Sequence, residues 1–457
     1  MADTIAAIAT GGIISAIGIV RVSGDRAIEI ADSVFTPTFT KKRVKEARDR
    51  QLIYGELRDE NGEAIDICLC TVSRGPGSYT GEDTAEFQCH GSPVVLAAAL
   101  RSLFAAGARQ ALPGEFTKRA FLNGRMDLAQ AEAVVDIIDA DTVAAAKNAV
   151  GQLCGAMGKK TEEIRSGLID IMAHFHAVID YPDEDIDEFY LENYISQLED
   201  AERRLKELLA TYDRGRILKD GIRCAIIGRP NAGKSSLLNA LVGYDRAIVT
   251  DIAGTTRDTI EEKIKVGDTV LRLVDTAGIR DTDDTVERLG VERSIEAADT
   301  AELVIAVFDG SEPLKEEDER VLETAAGSVR TIAVINKSDL PQNTDTEKIS
   351  SRCGRVCVVS ALTGRGIEEI EKAITDMFSN GDMPAAGEVV TNERHADALS
   401  RAKEAISAAC GALLGGVTPD AVLTEVETAI SALGEITGGT VREDITDRIF
   451  SRFCVGK

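Results

Sequence analysis

Eight residues constrain this chain more than any others: Gly228-Arg229-Pro230-Asn231-Ala232-Gly233-Lys234-Ser235. They match the pattern GxxxxGK[ST], and they sit where its mechanics require. A short apolar run, Ile222–Ile227, precedes them, and a helix-forming stretch, Ser236–Leu241, follows. In that setting a loop leaves a buried strand, and its N–H groups, with those of Asn231, Ala232, Gly233 and Ser236 among them, surround phosphate oxygens. Lys234 adds positive charge at the β- and γ-phosphates, and the Ser235 hydroxyl is the expected ligand of a phosphate-bound Mg²⁺. A loop of this kind fixes the surrounding fold as α/β, with a mostly parallel sheet.

The rest of a nucleotide site follows in order. Asp275-Thr276-Ala277-Gly278 closes the apolar strand Val270–Val274. Asp275 is expected to hold Mg²⁺ through its water shell, and the Gly278 N–H to reach a γ-phosphate. Gly254-Thr255-Thr256-Arg257-Asp258 is a polar loop suited to a switch, with Thr256 as candidate second Mg²⁺ hydroxyl ligand or, taken alone, a turn threonine. Asn336-Lys337-Ser338-Asp339 follows the strand Thr331–Ile335. A carboxylate at Asp339 can accept two N–H bonds from a 2-amino-pyrimidinone edge, which guanine offers and adenine does not, while Lys337 covers the base face. Ser360-Ala361-Leu362 after the strand Val356–Val359 is expected to supply a backbone N–H to guanine O6. The parts together specify GTP.

Hydrolysis needs a water-orienting group. The position after Gly278 is Ile279, which cannot act as the glutamine found there in many small GTPases. Glu287, in the polar stretch Asp281–Arg288, can reach back to a water or can be an exposed helix-start glutamate. No arginine finger is evident. A monovalent cation could neutralise the transition state instead, with oxygens from Asn231 and from Thr250 to Thr255, although Asn231 could equally be a structural hydrogen-bonder.

The chain has 457 residues and a net charge of −25, which suggests about three domains and argues against a surface that binds nucleic acid as a whole. Lys41-Lys42-Arg43-Val44-Lys45 is a local basic cluster, read most simply as a solvated face. Nine scattered cysteines, of which the closest pairs, Cys68/Cys70 and Cys353/Cys357, sit in strand-like apolar runs, and four histidines make no case for zinc, and fit a reducing cytosol. The apolar stretch Ile5–Val20 lacks a positive leader and is too short and Gly-rich to span a bilayer, so a cytoplasmic protein with no membrane role is expected.

Residues 1–120 mix strand patterns (Ile17–Val22, Arg50–Leu57, Ile65–Val72, Thr84–Cys89) with a helix at Pro93–Ala108, giving an α+β domain. Helical patterns fill residues 121–220, at Asp127–Val150, Lys160–Val178 and Asn193–Arg214. The acidic break at Asp180–Asp185 could bind a metal or be a solvated loop. The α/β nucleotide domain covers residues 221–381, and helical patterns return over residues 382–457, at Glu393–Leu414, Ala421–Leu433 and Val441–Phe453. The expected architecture is an N-terminal α+β domain, then a discontinuous all-α helical domain with a Ras-like P-loop GTPase domain inserted in it.

These motifs resemble the MnmE (TrmE) family of tRNA-modification GTPases nearly end to end. The most specific segments are Gly228–Ser235, Thr250–Asp258, Asp275–Arg280, Val286–Ser294 and the terminal Cys454-Val455-Gly456-Lys457. Ile17–Gly24, Tyr79–Gly91 and Pro113–Ala133 extend the likeness outside the nucleotide domain. The resemblance implies a homodimer built on the N-terminal domain. It also implies a partner, the FAD-containing MnmG, in a heterotetramer or larger complex, with FAD on the partner only. The pair would add an aminomethyl or carboxymethylaminomethyl group to carbon 5 of the wobble uridine of certain tRNAs, using a tetrahydrofolate one-carbon donor (5-formyl- or methylene-tetrahydrofolate). By position, the resemblance assigns K⁺ to Asn231, Thr250, Ile252 and Thr255, Mg²⁺ to Ser235 and Thr256, and the catalytic water to Glu287. It places folate at Arg21, Glu82, Arg125 and Lys457. Pterin carries the same 2-amino-pyrimidinone edge as guanine, so Glu82 could read it as Asp339 reads guanine; without the resemblance Glu82 is an ordinary turn or strand-edge acid. Cys454 falls in the terminal motif, which implies a place in the modification centre; by itself it is an exposed tail thiol. Two departures stand out. Arg125 occupies a position often held by lysine, and Gly11–Ala16 lacks a Pro- and Arg-bearing turn.

A second class remains open: a GTP-dependent RNA or ribosome assembly factor with the same switch core and no part in covalent modification. A basic RNA-binding module after the GTPase domain would favour it, and none is evident.

Overall fold

The computed structural model describes residues 3–180, 188–244, 262–267, 269–274, 297–378, 386–417, 419–441, 443–451 and 453–456. The chain forms two compact units. One comprises residues 1–138, 151–205 and 398–457, and the other residues 139–150 and 206–397.

The first unit opens with seven strands: β1 (Ile5–Ile8), β2 (Ser15–Ser23), β3 (Phe35–Pro37), β4 (Leu52–Arg58), β5 (Ala64–Ser73), β6 (Thr84–Gly91) and β7 (Arg109–Gln110). Their order is β3-β4-β5-β6-β2-β1-β7, antiparallel throughout except for the β1/β7 pair. Alternation divides the sheet into two faces. Ile53, Leu57, Cys68, Cys70, Val72, Ala85, Phe87, Cys89, Val20 and Val22 point to a core shared with the helices Ala27–Val34 and Pro93–Ala105. Leu52, Tyr54, Ile67 and Ile17 stand exposed on the opposite face, where Phe39 stacks on Tyr54 with ring centroids 5.4 Å apart. The basic cluster is only partly a solvated face: Val44 is buried, and Arg43 pairs with the buried carboxylate of Asp32 at 2.7 Å.

Four sequence expectations change here. The strand β1 and the helices Ala27–Val34 and Glu115–Leu122 are additions. The helical run Asp127–Val150 is two helices, Leu128–Ile138 and Val143–Leu153. Thr142 starts the second by accepting the Ala145 N–H at 3.1 Å, a local cap that competes with a continuous helix. The run Asn193–Arg214 likewise divides into Glu188–Leu209 and Tyr212–Asp220. Cys353 caps a helix rather than lying in a strand.

Within the first unit the helix Pro419–Thr437 packs on Ala156–Asp180. Leu128, Ala131, Phe450 and Phe453 form a separate small core, joined by Phe121 and Met126. Phe450 belongs to the helix Glu443–Phe450, so this core brings the end of the chain back to the helix Glu115–Leu122.

The second unit holds a six-stranded sheet of β8 (Ile222–Ile227), β9 (Glu262–Val266), β10 (Thr269–Leu273), β11 (Leu303–Asp309), β12 (Thr331–Asn336) and β13 (Val356–Val358). The order is β13-β12-β11-β8-β10-β9, parallel except for the β9/β10 hairpin. β11 is buried along its whole length, as expected of a central strand with both faces covered. The helices Lys234–Tyr244, Glu316–Gly327 and Thr346–Arg352 connect these strands, and Ile367–Phe378 follows the last of them. Among the described residues no helix is long and apolar enough to cross a membrane.

Candidate functional site

The phosphate loop leaves β8 beside β11. A Cβ on Gly228 would lie 2.6 Å from the Val307 carbonyl oxygen, so only glycine lets the loop turn this close to the neighbouring strand. Asn231 adopts φ +62 and Gly233 φ +96. A Cβ at Gly233 would come within 2.2 Å of Asn336 Nδ2. Lys234 begins the helix Lys234–Tyr244, and its ammonium donates to the Gly228 and Arg229 carbonyls at 2.9 and 3.1 Å. The loop therefore closes around the Lys234 side chain. Ser235 and Ser236 are exposed in the first helical turn and Ala232 is buried. An N-terminal turn with its amides directed outward is a ready anion site.

One side chain joins this loop to the Asn336–Asp339 segment. Asn336, at the end of β12 and buried, donates from Nδ2 to the Ala232 carbonyl at 3.0 Å and accepts the Ala361 N–H on Oδ1 at 3.0 Å. Three segments far apart in sequence thereby form one pocket rim. A guanine O6 meeting Ala361 would share a donor that Asn336 already engages. Asp339 is exposed and accepts the Ser360 hydroxyl at 2.5 Å, which holds its carboxylate in orientation. The Ser338 N–H donates to the Val359 carbonyl at 2.9 Å, fixing the loop against the strand end. Lys337, at φ +63, directs its ammonium to Asp309 Oδ2 at 2.6 Å. Sequence reasoning missed this partner and also the ion pairs of Arg229 with Asp309, Glu312 and Asp318. The available signal was a charged residue inside a phosphate loop, followed downstream by acids just past a buried strand.

Thr250, Ile252, Thr255, Thr256, Asp275, Thr276, Ala277, Gly278 and Glu287 lie outside the described residues. So do most of the acidic break after Asp180 and the terminal Lys457.

A second cluster occupies the first unit, around the helix Glu115–Leu122. Glu82 Oε2 accepts the Ser23 hydroxyl at 2.8 Å and the Arg119 guanidinium at 3.0 Å. Arg119 also bonds Glu115 at 2.9 Å and Asp3 at 2.8 Å. Arg21 pairs with Glu86 at 2.7 Å, and its guanidinium lies 5.5 Å from the centroid of the Tyr79 ring and 5.6 Å from that of Phe116. Arg125 packs over the turn carrying Glu82: a Cβ on Gly81, at φ +80, would be 3.3 Å from Arg125 Cγ. Asn123 donates to the Thr80 carbonyl at 2.7 Å and holds the same turn. The structure thus brings Glu82 and Arg125 to one turn, with Arg21 beside its Tyr79. Arg119, Asp3 and Glu115 were not foreseen. Burial pushes the Glu115 carboxyl up, but hydrogen bonds from Arg109, the Leu112 N–H and Arg119 outweigh it and leave it below the ordinary glutamate range. Arg109 first, then Arg119, lowers Asp3 in the same sense.

The tail reaches this cluster through its backbone. The Gly114 N–H donates to the Cys454 carbonyl at 3.3 Å, Val455 bridges Pro113, and Gly456 lies so close to Ile8 that a Cβ would meet its carbonyl oxygen at 2.3 Å. The Cys454 thiol itself is exposed.

Comparison with known proteins finds likeness along the whole chain. A family model described as the GTP-binding protein TrmE N-terminus matches residues 4–125, and one described as the MnmE helical domain matches residues 128–454. The tRNA modification GTPase MnmE of Geobacillus thermodenitrificans is 45% identical over 460 residues, covering 100% of this chain and 99% of that protein. The protein of the same name from Clostridioides difficile is 44% identical over 458 residues, with the same coverage. With such likeness along its whole length, the chain belongs to the MnmE family of tRNA modification GTPases.

Proposed function

We propose that this chain is the GTP-hydrolysing subunit of a complex with MnmG that adds an aminomethyl or carboxymethylaminomethyl group to carbon 5 of the tRNA wobble uridine. GTPase action and a role in tRNA modification belong to the family; the partner, the position and the chemistry are our reading. The observation that carries the nucleotide part is the Asn336 side chain, which ties the phosphate loop to the base-reading loop through Ala232 and Ala361. In this reading Asp339 selects guanine, Lys234 and the loop amides attract the β- and γ-phosphates, and Glu287 aligns the attacking water. The exposed Ser235 hydroxyl and the Asn231 side-chain oxygen suit hard cations, which take oxygen ligands. Mg²⁺ would be held by Ser235 and Thr256, and K⁺ by Asn231, Thr250, Ile252 and Thr255. The two ions supply positive charge to the phosphates as the bond to the γ-phosphate breaks.

The N-terminal cluster is proposed to hold the pterin of a reduced folate, with Glu82 reading its 2-amino-pyrimidinone edge and Arg21, Arg125 and Lys457 around it. A carboxylate oriented by hydrogen bonds from Arg119 and Ser23 offers acceptor oxygens to that donor edge. The homodimer is proposed to form through the open face of the N-terminal sheet, where Leu52, Tyr54, Ile67 and Ile17 are exposed. A protein acting on tRNA in this way is placed in the cytoplasm, with no membrane partner.

Nucleoside analysis of tRNA from a deletion strain tests the reaction. Loss of the modified wobble uridine is expected, and unchanged modification would favour the assembly-factor reading. GTP turnover in K⁺ and in Na⁺ tests the cation, with equal rates removing it. Glu287→Ala is expected to slow hydrolysis while GTP still binds, and a normal turnover number clears Glu287 of its role.

A further inference from the structure

Between the two loops of the nucleotide pocket lies a charge cluster that the site as described does not use. Arg229, the second residue of the phosphate loop, is only 6% exposed. Its guanidinium lies 2.7 Å from Glu312, 3.2 Å from Asp318 and 3.4 Å from Asp309 Oδ2. The same Asp309 oxygen receives the Lys337 ammonium at 2.6 Å, while Asp309 Oδ1 accepts the N–H and hydroxyl of Ser311 at 3.0 and 2.6 Å. Lys315 completes the set, donating its N–H to Asp318 at 3.0 Å and its ammonium to Glu312 at 2.6 Å. Arg229, Asp309 and Asp318 are buried, and Glu312, Lys315 and Lys337 face them from the solvent side, so cations and carboxylates alternate through the cluster, as buried charges require.

The location gives this cluster a role. Asp309 ends β11 in direct register with Asn336, the residue that ties the pocket together. Arg229 points its side chain at Asp309 while its carbonyl receives the Lys234 ammonium at 3.1 Å. A continuous path therefore runs from the phosphate-binding lysine through Arg229 and Asp309 to the base-covering lysine. A free lysine loses rotamer freedom when it is fixed. Lys337 is already fixed at its ammonium end, so its aliphatic stem is set before a base arrives.

We propose that Arg229 and Asp309 are positioning residues for guanine nucleotide binding: Asp309 holds the Lys337 ammonium, and Arg229 orients Asp309 from the phosphate-loop side. This rests on the reading that both loops belong to one nucleotide pocket. Arg229 touches no nucleotide with its side chain in this scheme, and its effect passes through Lys337.

A double-mutant cycle on GDP affinity of the full chain tests it. Wild type, Arg229→Met, Lys337→Met and the double variant are titrated with GDP by calorimetry. Arg229→Met is expected to weaken GDP about tenfold, the scale of one charge-assisted hydrogen bond. In the Lys337→Met background the same change is expected to cost less than about twofold, because the residue it acts through is gone. Arg229→Lys, which keeps a cation at the buried site, is expected to recover part of the affinity and carries the same cycle should Arg229→Met fail to fold. Losses that multiply in the double variant overturn the proposal, since a merely structural cluster acts independently of Lys337. So does an Arg229→Met protein that binds GDP as wild type does. A wild-type chain that ignores GDP takes down the pocket assignment itself, and the proposal with it.

Discussion

Two carboxylates in this molecule are proposed to read the same chemical edge, and their settings differ. Asp339 is exposed on a loop and held by one hydroxyl, from Ser360. Glu82 is half-buried, with 15% of its side chain accessible, and is gripped by Arg119 and Ser23. The first is an acceptor with lone pairs free for a ligand, set on backbone that the strand ends determine. The second is part of an ion network and must share its oxygens with Arg119. A ligand at Asp339 therefore gains two new charge-assisted bonds, whereas one at Glu82 gains less because the charge is already compensated.

The largest effect should follow from Asp339→Asn. An amide offers one acceptor and one donor where the carboxylate offered two acceptors, so the guanine 2-amino group loses its partner. We expect GDP affinity to fall about a thousandfold, or about 4 kcal/mol for two charged hydrogen bonds. Xanthine carries a 2-keto group in place of the 2-amino group, so its nucleotides should bind the variant better than guanine nucleotides do. Competition calorimetry with GDP and XDP checks this, and unchanged preference for GDP removes Asp339 as the base reader.

Arg119→Met is the next largest. It leaves Glu82 without its cation, while Glu115 and Asp3 keep only Arg109, at a site where Arg119 is only 11% exposed. A loss of about 3 kcal/mol in the stability of the N-terminal unit is expected, the scale for breaking a buried pair from one side. Urea denaturation followed by a probe in that unit measures it. The cost has a pH signature. Asp3 and Glu115 titrate below their ordinary values in the folded state. Their contribution is complete above the unfolded glutamate value of 4.5, and it is lost as pH falls through the lower folded values. The difference between wild type and Arg119→Met should therefore be full near neutral pH and shrink under acid. A gap that widens under acid breaks the assignment.

Glu82→Gln separates the two carboxylates further. Arg119 keeps Asp3 and Glu115, so the fold is expected to persist. Reduced folate should bind the full chain about tenfold more weakly, the scale of one charged hydrogen bond, against about a thousandfold for GDP with Asp339→Asn. Equal losses at the two sites would contradict the idea that prior pairing blunts the Glu82 contact.

The same contrast explains what was legible in the sequence. The phosphate loop, the NKSD segment and the strands that carry them are set by neighbours in sequence: an apolar run, a glycine at φ +96 and a helix start. Local pattern suffices there. The N-terminal cluster is assembled from Asp3, Ser23, Glu82, Glu115 and Arg119; apart from the i,i+4 pair Glu115–Arg119, the contacts span 37 to 116 positions, and no periodicity announces such a meeting. The strand β1 was hidden because Ile5–Ile8 is part of a longer apolar stretch, and its pairing with β7 depends on a segment more than a hundred residues away. Arg229 shows the limit inside the legible half. The motif placed its backbone, while the destination of its side chain depended on one acid that ends β11 and two beyond it.

The smallest predicted effect asks whether the tail belongs to the N-terminal cluster. Cys454 and Cys154 are exposed, while the seven other cysteines are buried. Burial pushes the Cys224 thiol up to about 12 beneath the phosphate loop. An alkylating reagent near neutral pH should therefore modify Cys454 and Cys154 first, because the thiolate is the reactive species. Residues Cys454 to Gly456 run against Pro113, Gly114 and Ile8, next to the helix that carries Arg119. Reduced folate bound at Glu82 should slow modification of Cys454 severalfold and leave Cys154 unchanged, as read by mass spectrometry of tryptic peptides. GDP, held in the other unit, should protect neither thiol. Equal rates for Cys454 with and without folate would detach the tail from the Glu82 site, and protection of Cys454 by GDP alone would move it to the nucleotide side of the comparison.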